Sequence, residues 1–127
     1  VFAVYADKDL PAQAGGQGGF VIKSGYDKLV AGKKVLVVED LTTTGGSVRK
    51  VVEAVRAAGG TVVGVCVLCN RGDVTKEAVG NPEKFEALVQ LDLDSWDEAE
   101  CDLCKTGIPV NTDVGHGRAF VENKKNT

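Results

Sequence analysis

The sequence predicts an α/β fold with a central, mostly parallel sheet and flanking helices. Three segments carry this prediction: a strand-like segment at 34–39 with four apolar residues at 35–38, a stretch of helical periodicity that begins at Ser47, and an apolar run at 61–69. Strand, helix and strand in this order form a right-handed βαβ unit with parallel strands. The carboxyl ends of both strands then lie at one edge of the sheet, which is where open α/β sheets bind their ligands.

The helix has the clearest pattern. Its apolar residues recur at the spacing of one helix face, at Val48, Val51, Val52, Val55 and Ala58. Gly59 and Gly60 are expected to end it, because glycine readily adopts the left-handed conformation that follows a helix. The run from Thr61 to Cys69 is rich in valine and almost wholly apolar, which predicts a strand that is covered on both faces.

Weaker patterns predict the remaining elements. We expect strands at 1–5, 20–23 and 85–93, a loop at 6–19, a turn at 70–73 and one helical turn at 75–79. From residue 96 the chain is polar and weakly patterned. The chain is therefore expected to consist of an α/β core at 1–95 and a cysteine-containing polar tail of unknown role at 96–127.

Composition argues against several classes of protein. The 127 residues are 43% hydrophobic and 26% charged, which is typical of a soluble domain. A net charge of −3 provides no positive field for nucleic acid. No apolar run approaches the roughly 20 residues that cross a bilayer, so a membrane partner is not expected. We find no signal peptide, and the default prediction is a cytoplasmic protein.

The start of the sequence predicts a shortened domain. The chain contains no methionine and begins directly in the apolar run Val1-Phe2-Ala3-Val4-Tyr5. Natural domains seldom begin inside a core strand, so we expect an N-terminally shortened member of a longer family.

The segment that ends the first core strand is Glu39-Asp40-Leu41-Thr42-Thr43-Thr44-Gly45-Gly46-Ser47. Adjacent carboxylates repel each other unless they face water, hydroxyl groups or a metal, and the vicinal hydroxyls of a ribose suit the pair. The glycines let backbone N–H groups converge on a phosphate, and the hydroxyls and the positive end of the helix add to that binding. The alternative is a solvated acidic turn with a Ser or Thr helix cap, which leaves the acid pair unexplained.

This segment resembles the phosphoribosyl pyrophosphate (PRPP) motif of the type I phosphoribosyltransferases, and its Thr-Thr-Gly-Gly-Ser ending looks most like the orotate phosphoribosyltransferase branch. The resemblance includes the lead-in sequences at 20–26 and 32–35 and extends over 1–93. It implies the core fold of that family, a homodimer, and transfer of a phosphoribosyl group from PRPP to a base, with Mg²⁺ on the pyrophosphate. With orotate as the base, the products would be orotidine 5′-phosphate and pyrophosphate.

The resemblance also implies roles for residues of this motif. Glu39 and Asp40 would bind the ribose hydroxyls, and Asp40 would also be catalytic. The 5′-phosphate would be held by Thr42, Thr43, Thr44, Gly45, Gly46 and Ser47.

Two further positions correspond to functional residues of the family. The family captures pyrophosphate with a mobile, cation-rich loop, and in the matching segment at 6–11 Lys8 is the candidate catalytic cation. An Asp-Arg pair of the orotate enzymes, whose arginine binds the orotate carboxylate, corresponds here to Asn70-Arg71. Arg71 is therefore the candidate base-binding residue, and the alternative is a surface arginine in a turn.

The cysteines form two CxxC pairs, Cys66/Cys69 and Cys101/Cys104. Four thiolates can hold a structural zinc ion. Residues three apart in a strand point to opposite faces, so Cys66 is interpreted as a buried apolar side chain. Cys69, Cys101 and Cys104 remain the candidate Zn²⁺ ligands, and the alternative for the second pair is a reduced or redox-active dithiol.

Two functions stay open at this point. The first is a phosphoribosyltransferase whose partners are PRPP and a nucleobase, either orotate or another base. The second is a noncatalytic PRPP- or nucleotide-binding regulatory protein that has lost the pyrophosphate loop. The motif and Arg71 favour the enzyme, whereas the scarcity of loop cations favours the binding protein.

Overall fold

A computed structural model describes residues 1–9, 18–23, 25–93 and 96–125. The chain divides into two units, Val1–Leu93 and Asp94–Thr127. The first unit contains β1 (Asp7–Asp9), β2 (Gly19–Val21), α1 (Asp27–Val30), β3 (Lys34–Thr42), α2 (Gly46–Ala57), β4 (Thr61–Asn70) and β5 (Phe85–Gln90). The second contains α3 (Asp102–Lys105) and α4 (Gly117–Lys125).

The sheet of the first unit is parallel, with the strand order β3-β4-β5. Val37 lies opposite Val65, and Thr42 at the end of β3 lies opposite Asn70 at the end of β4. This arrangement confirms the predicted α/β fold and brings the carboxyl ends of the two strands together. The short strands β1 and β2 pair antiparallel in a separate two-stranded sheet.

The core lies between this sheet and α2. Val48, Val52 and Val55 on one face of the helix are almost fully buried. They belong to one apolar cluster with the inward-facing valines of the sheet, Val37, Val62, Val65 and Val67. Each such side chain contributes about 1.5–3 kcal/mol of transfer free energy when it leaves water. The helix is thereby held against the strands that flank it, and its first turn is held at the carboxyl edge of the sheet.

Several apolar side chains on the opposite face of the sheet are exposed in the part of the chain that the structure describes. Val38 and Leu88 on that face expose 68% and 71% of their surface, and Leu36 and Leu68 are also exposed. The prediction that β4 is covered on both faces therefore holds only in part: Leu68 is exposed, whereas Gly64 and Asn70 on the same face of the strand are buried. With the order β3-β4-β5, two right-handed crossovers must run on the same side of the sheet. Both α2 and the segment between β4 and β5 thus cover one face, since Gly80 of that segment lies against Val52.

Several smaller elements differ from the expectations. Residues 1–5 form no strand and have no ladder partner among the described residues, and β1 falls instead within the expected loop. The helical turn expected at 75–79 is replaced by turns at 76–80, β3 continues to Thr42, and β5 ends at Gln90. The weakly patterned tail contains two helices. The remainder of the expected loop, residues 10–17, lies outside the described residues.

Among the described residues, no helix combines the length and the apolar character that are needed to cross a membrane.

The turn between α2 and β4 depends on a glycine without a side chain. A Cβ atom on Gly60 would lie 2.7 Å from Cγ1 of Val30 and 2.9 Å from Cγ1 of Val55. We expect Gly60→Ala to lower the free energy of unfolding by about 1–3 kcal/mol, because the added methyl group overpacks the core. Urea denaturation measures the change.

The control for this variant is Gly19→Ala, since a Cβ atom on Gly19 would meet nothing within 4 Å. Equal stability of the two variants would contradict the packing assigned to Gly60.

Candidate functional site

The central feature of the candidate site is the acid pair Glu39-Asp40, which lies near the end of β3. Glu39 is half-buried and Asp40 is exposed. The Asp40 carboxylate accepts a hydrogen bond from the backbone N–H of Leu41 at 2.6 Å. Burial raises the pKa of Glu39, and the neighbouring Asp40 charge raises it further, against a backbone hydrogen bond that lowers it. The folded protein thus disfavours the ionised form of Glu39 at this edge of the sheet.

A tight turn joins this pair to α2. Thr42 is buried, whereas Thr43 and Thr44 are exposed. Gly45 is the N-cap residue and has a φ of 79°, in the left-handed region that glycine adopts without strain. The helix begins at Gly46, one residue earlier than predicted.

The start of α2 carries no side-chain cap. Gly45 has no side chain to hydrogen-bond the first-turn N–H groups, so the alternative of a Ser or Thr cap is wrong. The first backbone bond of the helix runs from the N–H of Arg49 to the carbonyl oxygen of Gly45, at 2.9 Å. The N–H groups before Arg49 precede that bond, and the helix dipole adds positive potential there. An anion such as a phosphate group suits this position.

The segment after β4 packs directly on this turn. The backbone N–H of Arg71 donates to the carbonyl oxygen of Thr42 at 2.8 Å. A Cβ atom on Gly45 would lie 3.0 Å from Cγ1 of Val74, and a Cβ atom on Gly72 would lie 3.0 Å from the carbonyl oxygen of Thr43. The structure thus brings the two polar turns together at the carboxyl edge, as the βαβ topology predicts.

Asn70 positions this second turn, a role that sequence reasoning missed. Its side chain is only 4% exposed, and its Nδ2 donates to the carbonyl oxygen of Val74 at 3.0 Å. The signal in the sequence was a polar residue at the end of an apolar strand, directly before Arg71. Among the described residues, Oδ1 of Asn70 and Nε of Arg71 are buried polar atoms without a hydrogen-bond partner.

Lys8 is not joined to the acid pair in the structure. It lies in β1, is exposed, and is opposite Phe20 in the antiparallel ladder. Within the described ranges, no hydrogen bond or ion pair connects Lys8 to residues 39–47. Its proposed contact with pyrophosphate stays a prediction.

The candidate zinc ligands receive no support. In the part of the chain that the structure describes, no group of three or more His, Cys, Asp or Glu residues is placed to hold a metal ion. Cys66 is half-buried, so its predicted burial holds only in part. Cys101 and Cys104 are instead hydrogen-bonded to each other: these bonds lower the pKa of the Cys101 thiol and raise that of Cys104.

A cavity of about 460 Å³ lies in the first unit, away from the acid pair. Its lining comes from β2, from α1 and its end, and from Ala54, Ala57 and Ala58 at the far end of α2. Since the acid pair and the Gly45 turn are at the opposite end of that helix, this cavity is not part of the candidate site.

An open α/β sheet with paired carboxylates, hydroxyls and uncapped helix amides at its carboxyl edge has the chemistry of a site for a phosphorylated sugar. The sequence model of the phosphoribosyl transferase domain matches residues 4–98. The chain belongs to this family.

Several curated relatives carry the name orotate phosphoribosyltransferase. The one from Caldanaerobacter subterraneus subsp. tengcongensis is 45% identical over 89 residues, 70% of this chain and 45% of the relative. The one from Pelotomaculum thermopropionicum is 45% identical over 93 residues, 73% of this chain and 47% of the relative. A third, from Thermus thermophilus, is 39% identical over 108 residues, 85% of this chain and 54% of the relative.

The chain spans about half the length of the curated relatives it matches. The likeness to the Thermus protein covers more residues than the 93 of the first unit. It therefore extends past Leu93 into the second unit, further than the motif-based resemblance.

The raised pKa of Glu39 predicts that neutralising this side chain increases the stability of the protein in a pH-dependent way. Its pKa in the folded protein is raised above the ordinary value of 4.5, so ionisation disfavours the folded state. Below that value the Glu39 carboxyl group is protonated and does not oppose folding, whereas stability is lost as the pH rises through the raised pKa. We expect Glu39→Gln to raise the Tm at neutral pH and to converge with the parent protein in acid, as thermal unfolding across pH would show.

Glu86→Gln, at an exposed position of β5, is the control. An increase in Tm for Glu39→Gln that is as large in acid as at neutral pH would contradict the raised pKa assigned to Glu39.

Proposed function

We propose that this chain carries the PRPP-binding core of an orotate phosphoribosyltransferase, which transfers a phosphoribosyl group to orotate and releases pyrophosphate. The observation that carries the proposal is the continuous run of the acid pair, the left-handed Gly45 turn and the uncapped start of α2, with Arg71 packed against it. The names of the relatives support orotate as the acceptor. They also favour the enzyme over the noncatalytic alternative.

In this proposal the edge of the sheet holds the sugar phosphate at both ends. Glu39 and Asp40 accept hydrogen bonds from the ribose hydroxyls. The N–H groups of the first turn of α2, with the hydroxyls of Thr43, Thr44 and Ser47, bind the 5′-phosphate. Because the two groups of ligands flank one tight turn, the sugar is held in one orientation, with C1′ directed away from the phosphate.

The reaction then depends on charge and position. The bond from C1′ to the pyrophosphate oxygen breaks as a bond from C1′ to the base nitrogen forms, and positive charge develops on the sugar. The Asp40 carboxylate near the ribose stabilises that charge, and fixed orientation lowers the entropic part of the barrier.

Mg²⁺ fits this site as a companion of the substrate. Mg²⁺ is usually bound by one or two carboxylates together with substrate phosphates, and Glu39 and Asp40 offer two carboxylates near the sugar. When bound, it would neutralise the charge of the pyrophosphate leaving group.

Arg71 provides the contact for the acceptor. Its backbone is fixed by the hydrogen bond to Thr42, and the buried Nε has no partner among the described residues. A guanidinium group matches a planar carboxylate such as that of orotate. Lys8 would contact the pyrophosphate. The protein would be a cytoplasmic homodimer, in which the second subunit could supply the Lys8 segment to the site.

Calorimetric titration with PRPP and Mg²⁺ tests the sugar site. We expect Asp40→Asn to weaken PRPP binding roughly 10- to 100-fold, because a charged hydrogen-bond acceptor is lost. Asp97→Asn, an exposed acid of the second unit, is the matched control and should bind as the parent protein does. Unchanged binding by Asp40→Asn would refute the assigned role of the acid pair.

The acceptor is tested separately with Arg71→Lys. This variant keeps the charge but loses the bidentate geometry, so the affinity for orotate should fall about tenfold or more while PRPP binding is preserved. Competition between orotate and its methyl ester measures the carboxylate contact directly. Equal discrimination between the two compounds by parent and variant would remove Arg71 from the acceptor site.

A further inference from the structure

The second unit places two cysteines one helical turn apart. Cys101 is the N-cap residue of α3 with an extended backbone, at a φ of −68° and a ψ of 117°, and Cys104 lies in the same helix. The N–H of Lys105 donates to the carbonyl oxygen of Cys101, and the N–H of Gly107 to that of Cys104. The backbone on both sides of the pair is thus held by hydrogen bonds.

The two cysteines lie at the same end of α3 and are accessible. Both cysteines are free and only half-buried. Cys101 is the N-cap residue and Cys104 the third residue of α3, so one helical turn separates the two thiols, and a thiolate is the nucleophile in thiol–disulfide exchange. Cys104 also lines a shallow surface depression with Glu98, Ala99 and Lys105, where a small reagent has access.

The other CxxC pair lacks this geometry. Cys66 and Cys69 lie in β4, opposite Val38 and Leu41 of β3. Side chains three residues apart in a strand project to opposite faces, so their sulfur atoms cannot meet without disrupting the ladder. The chain therefore contains one pair that is placed to react and one pair that serves as an internal comparison.

We propose that Cys101 and Cys104 form a dithiol that is converted reversibly to an intramolecular disulfide by a low-molecular-weight disulfide such as oxidised glutathione. The Cys101 thiolate attacks one sulfur of the reagent, forms a mixed disulfide and releases one thiolate. The Cys104 thiolate then attacks the sulfur of Cys101 and releases the second thiolate. The protein loses two electrons and two protons, and the reagent is reduced to two thiols.

The test is exposure of the full chain to oxidised glutathione at neutral pH, followed by intact-mass and peptide-mass analysis. The parent protein should lose the mass of two hydrogen atoms, with the bond mapped to Cys101–Cys104 and reversed by dithiothreitol. Cys104→Ser should retain glutathione on Cys101, because the second thiol is absent. Cys101→Ser should lose disulfide formation, and the double variant Cys66→Ser/Cys69→Ser should react as the parent does.

Circular dichroism of each variant checks that the fold is retained. Stable glutathione adducts on the parent protein, or a disulfide that involves Cys66 or Cys69 instead, would overturn the proposal. So would thiols that react only after a chelator has removed a bound zinc ion, since the pair would then be a metal ligand set.

Discussion

The junction between β3 and α2 is the constraint on which the rest of the first unit depends. Gly45 turns the chain in the left-handed conformation and lies against the side chain of Val74, while the carbonyl oxygen of Thr42 accepts the N–H of Arg71. These contacts fix where the acid pair ends, where the helix begins and where the second turn lies. A side chain at Gly45 would combine backbone strain with tight contacts to Val74 and Ala78, so the fold and the candidate site share one requirement.

The sequence was sufficient for the elements that position the site. Valine periodicity predicted α2, apolar runs predicted β3 and β4, and the βαβ rule placed Glu39 and Arg71 at the same edge. It failed where structure depends on partners rather than on local pattern: residues 1–5 look like a strand but pair with no other strand among the described residues. The role of Asn70 was missed because its partner, the carbonyl oxygen of Val74, is set by a turn that composition does not reveal.

The exposed face of the sheet lies opposite its two crossovers. Two right-handed crossovers on one side leave Val38 and Leu88 exposed on the other, although parallel sheets usually have both faces covered. At the edge, the half-buried Glu39 beside Asp40 carries a raised pKa, which is a local cost in a protein whose core is otherwise well packed. Perturbed pKa values of this kind are typical of binding sites, because a ligand that supplies hydrogen-bond donors stabilises the ionised carboxylate.

The central claim is that the backbone at the start of α2 binds the phosphate of a phosphorylated sugar. The most direct measurement is an NMR titration of the labelled chain with ribose 5-phosphate, with ribose as the comparison. The account predicts that the phosphate compound shifts the amide signals of Gly46, Ser47 and Val48 most strongly and that ribose leaves them in place. Shifts confined to the second unit, or equal shifts with ribose, would contradict it.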